Sequence, residues 1–197
     1  MRFFLLLLPA ALLLAQSPAA KNFKEAGSPN APITVEIYAD FECPHCRALY
    51  IEVVPSLMTE FVQKGKVRLI HRDFPLPMHP SARLAARYAN AAGQIGRYDV
   101  VANQIFLTQP DWSQNGNVDG AVAKVLSPSE METVRSLVKN DPKLDDTVTR
   151  DVAMGTELDH LKATPTIVIV YKGKRDVITG GVAYPILKSY LNAKLAG

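Results

Sequence analysis

Two cysteines, the only two in the chain, stand two residues apart where a run that alternates like a strand meets a run that repeats like a helix. Ile33-Thr34-Val35-Glu36-Ile37-Tyr38 has the period of a strand with one buried face. After Cys43-Pro44-His45-Cys46, residues Leu49, Val53, Leu57 and Phe61 recur every fourth position with Tyr50, Val54, Met58 and Val62 beside them, the broad apolar face of an amphipathic helix over 44–63. Pro44 suits the first turn, where an N–H has no intrahelical partner to lose, which puts Cys43 at or near the N-cap and the positive end of the helix dipole. A second apolar-rich strand, Lys66 to Arg72, follows Gly65, so the dithiol sits at the strand-to-helix turn of a β-α-β unit. Pro55 falls inside the helical pattern and removes one backbone bond at about 3 kcal/mol, which predicts a kink.

Downstream the texture changes. Pro75, Pro77 and Pro80 precede an alanine-rich segment, Ser81 to Ala92, closed by Gly93, and its composition predicts a helix. Ile95–Leu107, Val118–Leu126, Ser129–Lys139 and Lys143–Leu161 also favour helix, with Gly and Pro between them and a capping box expected at Ser129 and Glu132. Thr166 to Tyr171 is a continuous apolar run of the kind found in a buried strand, Lys172-Gly173-Lys174 a hairpin turn, Asp176 to Thr179 its returning strand, and Tyr184 to Leu195 a closing amphipathic helix. Lys21 to Pro32 is a polar lead-in with a short edge strand expected near Phe23. The order is β-α-β, a helical block, then β-β-α.

Met1-Arg2 followed by the thirteen-residue run Phe3 to Ala15 has the short positive start, apolar core and small-residue close of a secretory signal peptide, with cleavage after Ala15, Ala19 or Ala20. A run of that length falls short of the roughly 20 residues that span a bilayer. Without residues 1–20 the balance is 21 basic against 19 acidic side chains, or +2, too mild to imply nucleic acid as a partner. Export places the dithiol where a disulfide can persist, in the periplasm or another extracytoplasmic space.

A structural staple is a poor use of such a pair: closing a loop of about four residues stabilises by only ~2 kcal/mol, against ~4.7 for a loop of a hundred. A metal site is a poor use as well, since His45 lies between the cysteines and His71, His79 and His160 make no recognised ligand spacing. Redox chemistry fits. Cys43 at a helix N-terminus has its thiolate stabilised by free N–H groups, and His45 can add a positive charge or a hydrogen bond. Stabilising the reduced thiolate makes the disulfide the stronger oxidant.

The segment Phe41-Glu42-Cys43-Pro44-His45-Cys46 resembles the active site of the DsbA-like thiol:disulfide oxidoreductases. Arg72-Asp73-Phe74-Pro75-Leu76 with His79-Pro80-Ser81-Ala82 looks like the start of that family's helical insertion, and Ala163-Thr164-Pro165-Thr166 is similar to its cis-proline loop. The resemblance implies an α/β protein, a thioredoxin fold (21–75 and 162–197) with an inserted all-helical domain (76–161) behind a signal peptide (1–20). It implies a redox disulfide Cys43–Cys46 and no other cofactor, Cys43, Pro44, His45 and Cys46 as the catalytic segment, and Thr164 and Pro165 as a backbone edge for an extended substrate. Substrates would be folding proteins with free thiols, and a membrane-bound, quinone-linked protein would reoxidise the pair.

Two positions depart from that pattern. Thr164 replaces the valine of the best-known oxidase and resembles the residue of isomerase-type relatives. Six residues before the first cysteine, where many thioredoxin-fold enzymes keep a buried carboxylate for proton relay, stands Ile37; Glu36 is the adjacent substitute, although strand alternation turns it to the opposite face. Asp40 and Glu42 read as solvated loop residues, His79 as a cap or packing residue and Trp112 as core. An oxidase is therefore expected, with a reductase or isomerase on the same scaffold as the rival. A non-enzymatic holdase is the rival from another class, and Cys43→Ser separates it, because only a holdase would keep suppressing aggregation.

Overall fold

The computed structural model describes residues 22–197, and the expected signal peptide lies outside them. Five strands form one sheet in the order β1-β3-β2-β4-β5: β1 (Glu25–Ala26), β2 (Ile33–Ala39), β3 (Val67–Asp73), β4 (Thr166–Tyr171) and β5 (Lys174–Thr179). β2 lies at the centre, parallel to β3 and antiparallel to β4, so six of its seven residues are buried. The short β1 covers the outer edge of β3, with Glu25 opposite Ile70. In the β4–β5 hairpin Lys172 and Gly173 both have positive φ, 48° and 76°, the two-residue turn whose twist matches the strands. β5 therefore pairs from Lys174, two residues earlier than Asp176.

The helix expected over 44–63 is interrupted. α1 (Pro44–Glu52) ends at Val53, α2 (Val54–Leu57) restarts with Pro55 in its first turn, and a π-helical turn, Met58–Val62, completes the path to β3. The break falls where Pro55 cannot donate to the residue four before it. Leu49, Val53, Leu57 and Phe61 are all buried nonetheless, as their spacing requires.

Between β3 and β4 run six helices: α3 (Ala82–Gln94), α4 (Tyr98–Leu107), α5 (Gln109–Trp112), α6 (Val118–Val122), α7 (Pro128–Asn140) and α8 (Lys143–Leu158). α3 is the centre of this block because its alanines let neighbours approach closely: Ala85, Ala89, Ala91 and Ala92 are fully buried. A Cβ on Gly93 would come within 2.3 Å of the Phe23 ring, so that close approach needs glycine. The capping box is at Ser127 and Glu130, two residues before the expected pair, because Pro128 already occupies the first helical turn and Ser129 lies inside it. The helix ending near 158 stops short of Leu161, where His160 takes a positive φ of 54°. α9 (Tyr184–Ala196) closes the chain and buries Leu187 and Leu191.

The sheet separates two unequal cores. Ile33, Val35 and Ile37 face α1, α9 and the helical block in one large cluster. Tyr38, Phe74, Leu161 and Val168 form a smaller cluster on the other face, against which α8 packs through Val152 and Gly155.

Candidate active site

The turn after β2 brings the two cysteines to the sheet's C-terminal edge, and α1 begins there because its first N–H groups need no carbonyl behind them. Cys43 is the N-cap, with extended backbone (φ −77°, ψ 121°), and Pro44 occupies the first turn. Cys43 is 4% exposed and Cys46 fully buried, while Pro44 and His45 lie at the surface. Both thiols are free.

The thiols titrate in opposite directions. The Cys43 pKa is lowered to about 5: the Cys46 thiol donates to its sulfur first, burial opposes, and the backbone N–H of Cys46, the Thr164 side chain and the backbone N–H of His45 add to the stabilisation. Burial pushes the Cys46 thiol far up, and the neighbouring Cys43 adds to this. Of the two thiols, Cys43 is thus the one suited to act as nucleophile and leaving group, with Cys46 protonated beneath it. What His45 contributes to the lowered thiol is its backbone N–H, a consequence of being in the first turn of the helix.

Thr164 and Pro165 meet the dithiol from the start of β4, and the peptide bond between them is cis. The Cys43 thiol donates to the Thr164 carbonyl at 3.5 Å. The Thr164 hydroxyl is buried with no geometric hydrogen-bond partner among the described residues, yet it acts to lower both thiol pKa values. A hydroxyl held this way can donate to whichever sulfur carries the charge. The Thr164 N–H donates to no group among the described residues, whereas the Pro165 carbonyl is taken by the Gly180 N–H at 2.8 Å.

Asp40 and Glu42 correct the sequence expectation. Asp40 is 1% exposed, not solvated. Its carboxylate accepts from the N–H groups of Glu42 and Leu76 and pairs with His79 Nδ1, each at 2.7 Å. Its own N–H points at the Cys46 sulfur, 3.4 Å away. Glu42 accepts from the Ser81 N–H at 2.7 Å at the start of α3. His79 is therefore part of the support of the loop. Gln109, unremarked in the sequence, is buried in α5 and donates to the carbonyls of Phe41 at 2.7 Å and Cys43 at 3.0 Å. No local signal could reveal the contacts made by Leu76, His79, Ser81 and Gln109, whose partners are 36 to 68 residues away.

Glu36 is not brought to the cysteines. It lies on the opposite face of β2, paired with Arg72 at 2.7 Å and Arg175 at 2.6 Å. Trp112 is core, 2% exposed, and its indole N–H donates to the Ile105 carbonyl at 2.8 Å. Beside the dithiol a cleft of about 430 Å³ runs between α1 and the loop before α9, lined by His45, Leu49, Val53, Val182 and Tyr184. Among the described residues no cluster of three or more His, Cys, Asp or Glu side chains could hold a metal ion.

A family model described as Thioredoxin matches residues 23–176. Among curated relatives, the disulfide bond formation protein D of Bacillus subtilis is 25% identical over 189 residues, which are 91% of this chain and 80% of that protein. A 73-residue stretch is 40% identical to the Na(+)/H(+) antiporter NhaA 3 of Salinispora tropica, of whose length it spans 11%. Among solved structures, alpha-DsbA1 of Wolbachia pipientis superposes with a TM-score of 0.75 at 21% identity, covering 87% of this chain and 89% of that one. The oxidised BdbD of Bacillus subtilis does so with a TM-score of 0.74 at 23% identity, covering 88% and 93%. These likenesses carry the fold, a thioredoxin sheet with a helical insertion.

Proposed function

Because the chain belongs to the thioredoxin family and is a DsbA-like thiol:disulfide oxidoreductase, we propose that it acts as an exported oxidase of proteins folding outside the cytoplasm. Residues 1–20 would be its signal peptide, 21–75 and 162–197 its thioredoxin-like part and 76–161 its insertion, and Cys43–Cys46 its only redox group. In the first step a substrate thiolate attacks the Cys43 sulfur of the disulfide. The Cys43–Cys46 bond breaks, and its electron pair leaves on Cys46, which takes up a proton. A second substrate thiolate then attacks the substrate sulfur of the mixed disulfide and Cys43 departs as a thiolate. The substrate has lost two electrons and the dithiol has gained them. A membrane-bound disulfide donor would accept them in turn.

The lowered pKa of Cys43, about 5, carries the oxidising direction. A thiolate stabilised this far is a good leaving group and favours the reduced enzyme, the relation that DsbA exemplifies. Thr164 and Pro165, with a free N–H at Thr164, support strand addition by an extended substrate whose side chains would enter the cleft beside His45. Equilibration with glutathione tests the direction: a strongly oxidising potential is expected, and one near thioredoxin's value of about −270 mV would overturn the oxidase in favour of a reductase. Thr164 favours the isomerase reading, in which exchange would reshuffle non-native disulfides in a scrambled substrate. Cys43→Ser should abolish exchange, and retained aggregation suppression in its absence would support a holdase.

A further inference from the structure

When a thiolate opens the internal disulfide at Cys43, the electron pair of the broken bond departs on Cys46, which is fully buried. Charge developing there meets no bulk water, so the step is eased by a donor already in place. Such a donor exists. The Asp40 N–H donates to the Cys46 sulfur at 3.4 Å. Burial pushes the Cys46 thiol far up, and this N–H acts against that push.

The N–H is available because of where Asp40 stands. It follows directly on β2, past the last pair that strand makes with β3, Ala39 with Asp73, so the ladder does not use it. The peptide that carries the N–H is held from its other side, where the Ala39 carbonyl accepts from the Phe74 N–H at 2.8 Å. The Asp40 carbonyl in turn accepts from the Cys43 N–H at 3.1 Å, which closes the turn onto the dithiol.

The Asp40 side chain ties the same residue to the loop that supplies Phe74. One carboxylate oxygen accepts from the Glu42 N–H, an ordinary Asx turn. The other accepts from the Leu76 N–H and pairs with His79 Nδ1, both at 2.7 Å and 36 and 39 residues away in sequence. Those two bonds do nothing for the local turn. They fix residue 40 against the segment between β3 and α3, and with it the direction of its N–H. Burying a carboxylate is costly without such partners, so their loss should let the turn relax.

Resting on the thiol-exchange reading above, we propose that Asp40 stabilises the sulfur that leaves when the disulfide opens, its N–H receiving the charge on Cys46 while its carboxylate and His79 position that N–H. The attacking thiolate bonds to the Cys43 sulfur, and the Cys43–Cys46 bond breaks. Its electron pair stays on Cys46, in the Asp40 hydrogen bond, until Cys46 takes up the proton that the attacking thiol gave up. In reverse, the same N–H holds the Cys46 thiolate as it attacks Cys43 and the partner sulfur departs with the pair. Asp40 thus sets the rate of exchange and leaves its direction to Cys43.

The test compares two reactions of the full-length protein in which glutathione attacks the same Cys43 sulfur and only the leaving group differs. In the first, glutathione opens the Cys43–Cys46 disulfide, and Cys46 leaves. In the second, run in Cys46→Ala, glutathione displaces a chromophoric aromatic thiol from its mixed disulfide with Cys43. Asp40→Ala should slow the first on the order of tenfold, less than the loss of a short donor to an oxyanion because sulfur is the weaker acceptor. The second should fall much less, since Cys46 has no part in it. His79→Ala should slow the first reaction in part, and His79→Asn, whose amide N–H replaces Nδ1–H, should recover it. An opening rate unmoved in Asp40→Ala overturns the proposal. Equal losses in the two reactions mark a merely structural role and also overturn it. An unsubstituted protein whose disulfide glutathione does not open overturns the exchange reading itself, and the role of Asp40 with it. Should Asp40→Ala fail to fold, the two His79 variants decide by the same pair of rates.

Discussion

At the residue scale the chemistry turns on which groups touch the Cys43 sulfur. Its pKa of about 5 stands against about 8.5 for a free thiol. A depressed acid stabilises the fold fully above its unfolded pKa and loses that contribution as pH falls through the folded one. The reduced protein should therefore exceed the oxidised protein in stability by a margin that shrinks between about pH 8.5 and pH 5. Urea unfolding of the two forms across this window checks it, and a margin that grows on acidification would contradict the assignment. Thr164→Val removes the one side-chain donor outside the dithiol itself. A hydrogen bond to a charged group contributes about 1.5–3 kcal/mol, so the Cys43 pKa should rise by about one unit or more, read from thiolate absorbance. The cysteines, Pro44 and Thr164 were legible because each is marked by its neighbours in sequence. Asp40 was not, because a carboxylate in a turn looks solvated until its donors, Leu76 and His79, arrive from another loop.

At the element scale, strands and helices follow their patterns closely, and the errors fall at their ends. The capping box moved from Ser129 to Ser127 because proline in the first turn outweighs the pattern of side chains that follows. Ser127→Ala should cost about 1 kcal/mol of stability by chemical denaturation, whereas Ser129→Ala should cost little. Helix α5 has only four residues but holds the dithiol loop through Gln109. Gln109→Ala leaves two carbonyls without their donor and should destabilise by about 1–3 kcal/mol. The same change should alter the alkylation rate of Cys43, since the Cys43 carbonyl is one of the two. Unaltered alkylation would confine Gln109 to a packing role.

At the scale of the whole molecule, Lys24 joins the lead-in, β3 and α8 through Asp73 and Asp151, a knot of buried charge between the sheet and its insertion. Breaking such a pair leaves charges buried without a partner, so Lys24→Met should cost about 3–5 kcal/mol near neutral pH. The acid limb should also weaken. Asp73 now has a depressed pKa, so the unsubstituted protein loses stability below about pH 4. In the variant Asp73 keeps its His71 and Asn90 contacts but loses the Lys24 charge that opposes burial, so its pKa is less depressed and acidification should cost the variant less stability than the unsubstituted protein. An acid limb that Lys24→Met leaves unmoved would show that Asp73 is held by something else. The sequence alone determined the strand–dithiol–helix unit, the helical block and the returning hairpin, because apolar period, proline and glycine act within a few residues. Only the tertiary structure decided what surrounds the buried sulfur: Asp40 turned inward, Gln109 across the loop and Glu36 turned away. Those contacts depend on which strand lies next to which, and on burial that raises the cost of any unpaired charge, and neither is written in the local pattern.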